Sequence, residues 1–177
     1  MPLFIRKTFP QFLFLLIGVV IMVISFVSAN SIISQSDSLP LAQRKMYLNK
    51  EILPDHVFYP IFMVFDRVRL TTASDSEKSR LQISYGWQRL DATKRLLDKG
   101  YQSLSFTTLT KALKYQNAGL LSAKQQLSVE EQKAVFNQAK QFQIEVEALV
   151  GSFTDQQQHE INGLFADQIH LTELLLN

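Results

Sequence analysis

The chain has 177 residues, 46% hydrophobic and 19% charged, with no cysteine. That length holds one domain of roughly 100 to 150 residues beside a membrane segment and leaves no room for a second domain of that size. The composition argues against intrinsic disorder, and the missing cysteine excludes disulfide stapling and thiolate chemistry.

The formal charge of +2 comes from Arg6 and Lys7, because residues 30–177 hold 16 basic and 16 acidic side chains. Within that neutral total, residues 41–127 carry +7 and residues 128–177 carry −6. Complementary blocks of this kind can pack against each other inside one bundle, or the basic one can face anionic headgroups or nucleic acid.

In chain order, residues 1–11 read as a cytoplasmic tail ending in a basic pair. Residues 12–29, FLFLLIGVVIMVISFVSA, hold no charge, and Ser25 and Ser28 are their only polar side chains. At about 1.5 Å rise per residue such a stretch just spans a hydrocarbon core, as a helix that satisfies its own backbone. Arg6 and Lys7 precede it and the next cations, Arg44 and Lys45, lie well beyond it. The positive-inside rule then keeps the N-terminus cytoplasmic and exports the rest. The alternative is a signal peptide cleaved near Ala29, since Val27-Ser28-Ala29 offers small residues there. Residues 30–39 are serine-rich and read as a tether; residues 40–177 form the exported domain.

Within that domain, Ser38 and Pro40 can open a brief helix that Pro54 ends. The segment Asp55 to Leu70, DHVFYPIFMVFDRVRL, holds an uncharged aromatic-rich run from Val57 to Phe65. It is too short to cross a bilayer. A helix apolar on all sides is normally buried, which makes this segment a plug between longer helices. The alternative is a surface for a partner or the membrane interface, with Phe58, Tyr59, Phe62 and Phe65 as its apolar part and Arg67 and Arg69 near the headgroups.

Four longer helices follow. Ser74-x-x-Glu77 matches a capping box and Gly100 a stop. Between them Ile83, Gly86, Leu90, Thr93 and Leu97 share one face, with Arg80, Arg89, Lys94, Arg95 and Lys99 largely off it. In residues 103–127 the equivalent stripe is Phe106, Leu109, Leu113, Gln116, Leu120, Ala123 and Leu127. Ser128-x-x-Glu131 opens a third helix with Val135, Ala139, Phe142, Val146, Leu149 and Phe153, and Gly151 marks its end. Thr154-x-x-Gln157 opens the last, with Gln157, Ile161, Leu164, Gln168, Leu171 and Leu175. Stripes of this length joined by short links predict an all-α fold, an antiparallel helical bundle behind the N-terminal transmembrane helix, packed in coiled-coil manner.

No compact catalytic or phosphate-binding motif occurs. His159 and His170 are separated by about 16 Å along one helix and cannot share a metal. His56 beside Asp55 reads as a cap. Glu145 and Glu147 point apart, and Asp66 with Arg67 and Arg69, like Asp91 with Arg95, read as surface pairing. The sequence therefore assigns no catalytic residue, no metal and no cofactor. Export separates the basic, aromatic segment from cytoplasmic nucleic acid, so nucleic acid is not expected as a partner.

Leu53-Pro54 followed by Tyr59-Pro60, then Asp66-Arg67-Val68-Arg69-Leu70 and a long helix with Arg89-Leu90, resembles an uncharacterised prokaryotic family with an LP-x4-YP element. Family members pair an anchor or signal segment with a helical domain. The resemblance covers roughly residues 50–125 and departs at Ile61-Phe62, where the family commonly turns basic. It implies an exported helical fold and supplies no catalytic residues. The expected role is a non-enzymatic, membrane-tethered structural or protein-interaction module of the cell envelope. Its anchor is residues 12–29, and its partner is an envelope protein or a second copy. The alternative is an extracytoplasmic ligand-binding or sensory bundle, acting through a partner, with Tyr85, Trp87 and the aromatics of residues 57–65 around a pocket.

Overall fold

The computed structural model describes residues 53–176 together with Gly18 and Met22. The chain divides into two units, Met1–Arg44 and Lys45–Asn177. The expected tail, anchor, tether and brief helix after Pro40 lie outside the described residues, apart from helical backbone at Gly18 and Met22. Among the described residues no helix is long and apolar enough to cross a membrane.

The described part of the second unit is all-α, with five helices packed as a bundle: α1 (Tyr59–Thr72), α2 (Asp75–Asp98), α3 (Gln102–Gln126), α4 (Val129–Val150) and α5 (Asp155–Leu174). Local chemistry sets their ends. Ser74 and Glu77 form a capping box at the start of α2, with the Ser74 N–H donating to Glu77 Oε2 at 3.2 Å. Ser128 and Glu131 repeat it for α4, and Thr154 and Gln157 for α5. Each box satisfies N–H groups that the first helical turn leaves without partners. Gly100, at φ 78°, ends α2 by allowing Tyr101 N–H to reach Leu96 O and its own N–H to reach Leu97 O, both at 2.9 Å.

The largest contact in the bundle is between α2 and α3. Ser79 Oγ donates to Gly119 O at 2.9 Å and Gln116 Nε2 to Ile83 O at 3.2 Å, so the two helices run in opposite directions. Close approach depends on two glycines. A Cβ on Gly119 would lie 2.7 Å from Ile83 Cγ1 and 3.0 Å from the Ile83 backbone nitrogen. A Cβ on Gly86 would lie 2.7 Å from Gln116 Cγ.

Two apolar clusters stack along the bundle. One gathers Leu90, Leu113, Phe142, Val146, Phe153 and Ile161. The other gathers Ile83, Leu120, Ala123, Val135, Ala139 and Leu175, and Trp87 touches both. Glutamines mark the boundary: Gln116 lies between Leu113 and Leu120 on α3, and Gln168 between Ile161 and Leu175 on α5. Both are buried, and neither Oε1 accepts a hydrogen bond from a described residue. Gln143 Nε2 donates to Thr172 Oγ1 at 3.2 Å in the same zone. Amides that bond at one particular level favour one register over slipped ones.

Several expectations change. Neither apolar cluster contains a residue of α1, so the aromatic segment is not a plug between the longer helices. Four helices close both clusters without it, and Leu70 is its one buried residue. On α2 it is Leu96 that is fully buried and Leu97 only half-buried. Arg89, expected largely off the core stripe, is buried. The basic and acidic blocks do meet across helices, through Arg80 with Glu131 and Lys94 with Glu145. Asp91 faces Lys94 at 3.7 Å.

Candidate interaction surface

Residues Leu53 to Phe58 form a turn rather than a helical start: His56 N–H donates to Leu53 O and Tyr59 N–H to His56 O, both at 2.9 Å. His56 Nδ1 accepts the Phe58 N–H at 3.2 Å, and Asp55 turns away to Lys99 Nζ at 2.7 Å. That contact holds the Asp55 carboxyl below its usual range. Pro60 then occupies the second helical position, where its missing N–H costs nothing.

From that start α1 has two unlike faces. Ile61 (51% exposed), Val64 (62%) and Val68 (46%) recur at three-four spacing and form an apolar row in solvent, and Val57 (87%) is exposed in the turn before the helix. Phe58 extends the row at its N-terminal end. The opposite face, with Tyr59, Phe62, Met63, Asp66 and Leu70, is half-buried to buried. Of the six residues expected to form a surface, Phe58, Arg67 and Arg69 are exposed, while Tyr59, Phe62 and Phe65 are half-buried. The valines and Ile61 are the larger part of the surface. Their regular spacing was present in the sequence, masked by apolar residues on every side.

The inward face is held by charge. Arg89 Nη2, on a side chain 5% exposed, reaches Asp66 Oδ2 at 3.5 Å and Met63 Sδ at 3.2 Å. Arg89 Nη1 donates to Tyr85 O at 3.2 Å, and the guanidinium lies over the Tyr115 ring at 4.2 Å. Aromatic faces and a carbonyl thus supply partners that a buried cation requires. Asp66 is not the surface partner of Arg67 and Arg69: it turns inward, because the helical rotation that exposes Val64 and Val68 carries it to α2. Burial pushes its carboxyl above the usual range, more than Arg89 draws it down. Burial likewise raises the Tyr59 and Tyr85 phenols.

Beside the row lies an open groove of about 350 Å³ between α1, α2 and α3. Arg67, Leu70 and Thr71 line it from α1, Lys78 and Gln82 from α2, and Lys114, Tyr115 and Ala118 from α3. Three cations converge there and no carboxylate lines it. None of the three is ion-paired with a described carboxylate. A second open groove, lined by Asp55 and Tyr101 to Leu104, carries no cation. Trp87 lines neither; it packs edge-on against Phe142, with ring centroids 5.3 Å apart.

Among the described residues no group of three His, Asp or Glu side chains is placed to hold a metal ion. His159 and His170 are exposed on α5, and Glu145 is paired with Lys94, which holds its carboxyl below the usual range. The chain matches no family model, no curated protein and no solved structure. The LP-x4-YP resemblance therefore rests on its own residues.

Proposed function

We propose that this chain is a non-enzymatic structural or interaction module of the cell envelope, tethered by residues 12–29, with α1 as the face it presents. The observation that carries this reading is the second, outward apolar face of α1. Val57, Ile61, Val64 and Val68 face solvent, while the carboxylate of Asp66 faces inward. A helix that held only its own bundle would bury the apolar row and expose the acid. The uncharged stretch of residues 12–29 supports the tether, and the basic pair Arg6-Lys7 supports export of the domain.

The test is a photo-crosslinking side chain in place of Ile61 in the full chain, activated in intact cells. Capture of a neighbour, protein or lipid, is expected. A chain recovered only as an uncrosslinked monomer contradicts the reading.

A further inference from the structure

We propose that the outward face of α1 and the groove beside it seat on the surface of an anionic phospholipid bilayer, with the apolar row entering the headgroup boundary and Arg67, Lys78 and Lys114 holding lipid phosphates. The inference deepens the function proposed above and rests on its tether.

Four observations carry it. Ile61, Val64 and Val68 form a single narrow stripe on α1, with Val57 exposed in the turn before it, and a stripe of this kind is the form in which a surface helix enters the boundary between headgroups and acyl chains. The row adjoins the groove: Arg67 follows Val64 by one helical turn, directly precedes Val68, and lines the groove with Thr71. The groove offers three cations from three helices and no carboxylate, which suits phosphate and repels a basic partner. Finally, no residue of the acidic part 128–177 lines the groove.

Tethering removes the need for high affinity. A patch of four exposed aliphatic residues and three cations is a weak membrane ligand alone, but an anchor in the same chain makes its contact intramolecular. Two signals together give stable seating where one does not. A protein ligand would be expected to need a deeper apolar pocket than this open groove provides.

The absence of cysteine allows a direct test. The full chain with Val64→Cys, labelled with an environment-sensitive fluorophore, is reconstituted into phosphatidylcholine vesicles with or without phosphatidylglycerol. A second chain carries the label at Ile144→Cys, an exposed position on α4. With the anionic lipid, the Val64 label shifts to the blue and is quenched by spin-labelled lipid, and the Ile144 label does neither. Added salt reverses the shift. Replacing Arg67, Lys78 and Lys114 with Gln weakens seating roughly fivefold for each charge removed.

A Val64 label that stays in water while the chain floats with anionic vesicles overturns this inference and leaves the tether standing. A chain that does not float with vesicles overturns the tether and this inference together. A label already shielded in detergent, and unmoved by lipid charge, overturns it in favour of a second copy or another part of the chain on that face.

Discussion

At the scale of single residues, the Asp66–Arg89 contact and the two close-packed glycines carry the account. Asp66 has a folded pKa above its ordinary value of 3.8, so between those two values the folded state holds more protons than the unfolded state. Its contribution to stability therefore declines as pH rises through that window and recovers on acidification. Asp55 and Glu131 behave oppositely, since Lys99 and the Ser128 hydrogen bonds depress their carboxyls. Their stabilisation is present above the ordinary pKa and is lost as pH falls through the lowered one. Asp66→Asn removes the opposing contribution, so denaturation curves of the variant should lose stability more steeply on acidification than those of the native chain. An equal or shallower slope would show that burial does not govern Asp66.

The glycines differ in what a methyl group would strike. At Gly119 it meets the Ile83 side chain and the α2 backbone, which cannot yield without moving the helix. At Gly86 the nearest atoms all belong to the buried Gln116 side chain. Gly119→Ala should cost about 1 to 3 kcal/mol, the range for overpacked cores. Gly86→Ala should cost less, because a side chain rather than a helix backbone has to shift. Chemical denaturation of the two variants checks the order, and equal losses would contradict it.

At the scale of elements, the helix boundaries were legible because their determinants are local. The boxes at Ser74, Ser128 and Thr154 and the left-handed Gly100 all act within one turn of the backbone. The core stripes of α2 to α5 were legible for a similar reason, since polar residues alternate with them at helical period. Of the polar members, Thr93, Gln116 and Gln168 are buried as their spacing required, and Gln157 is half-buried.

Helix α1 was not legible in this way. Its apolar residues surround it, so spacing alone could not choose which side faces the bundle. The choice comes from a pairing across 23 residues of sequence, Asp66 with Arg89. Arg89 itself sits three residues after Gly86 and four before Thr93, at core spacing, but its charge made the exposed reading the natural one. Of the residues named from the sequence, Phe58, Arg67 and Arg69 are exposed, and the exposed Ile61, Val64 and Val68 were not named.

The same geometry makes α1 the weakest element. It has one buried residue, Leu70, and meets α2 through the contacts of Arg89 with Asp66 and Met63. Few buried contacts mean low local stability. Hydrogen exchange of the protein in detergent should show α1 opening well before α2 and α3, and Arg89→Met should accelerate α1 further while leaving α3 unchanged. Equal protection across the three helices would contradict this picture.

For the whole molecule, the described helices form a bundle whose polar glutamine zone fixes register and whose basic part presents an apolar row beside three cations. Among the described residues no group of three His, Asp or Glu side chains is placed to hold a metal ion. The proposed function joins the tether expected at residues 12–29 with an apolar face of α1 that the described helices leave in solvent.

The most direct measurement of that claim is fractionation of cells expressing the full chain with a C-terminal tag, followed by protease treatment of intact cells or spheroplasts. The account predicts a protein of full mass in the membrane fraction whose C-terminal domain is lost to external protease. Release of a shorter soluble species, or protection of the C-terminal domain from external protease, would contradict it.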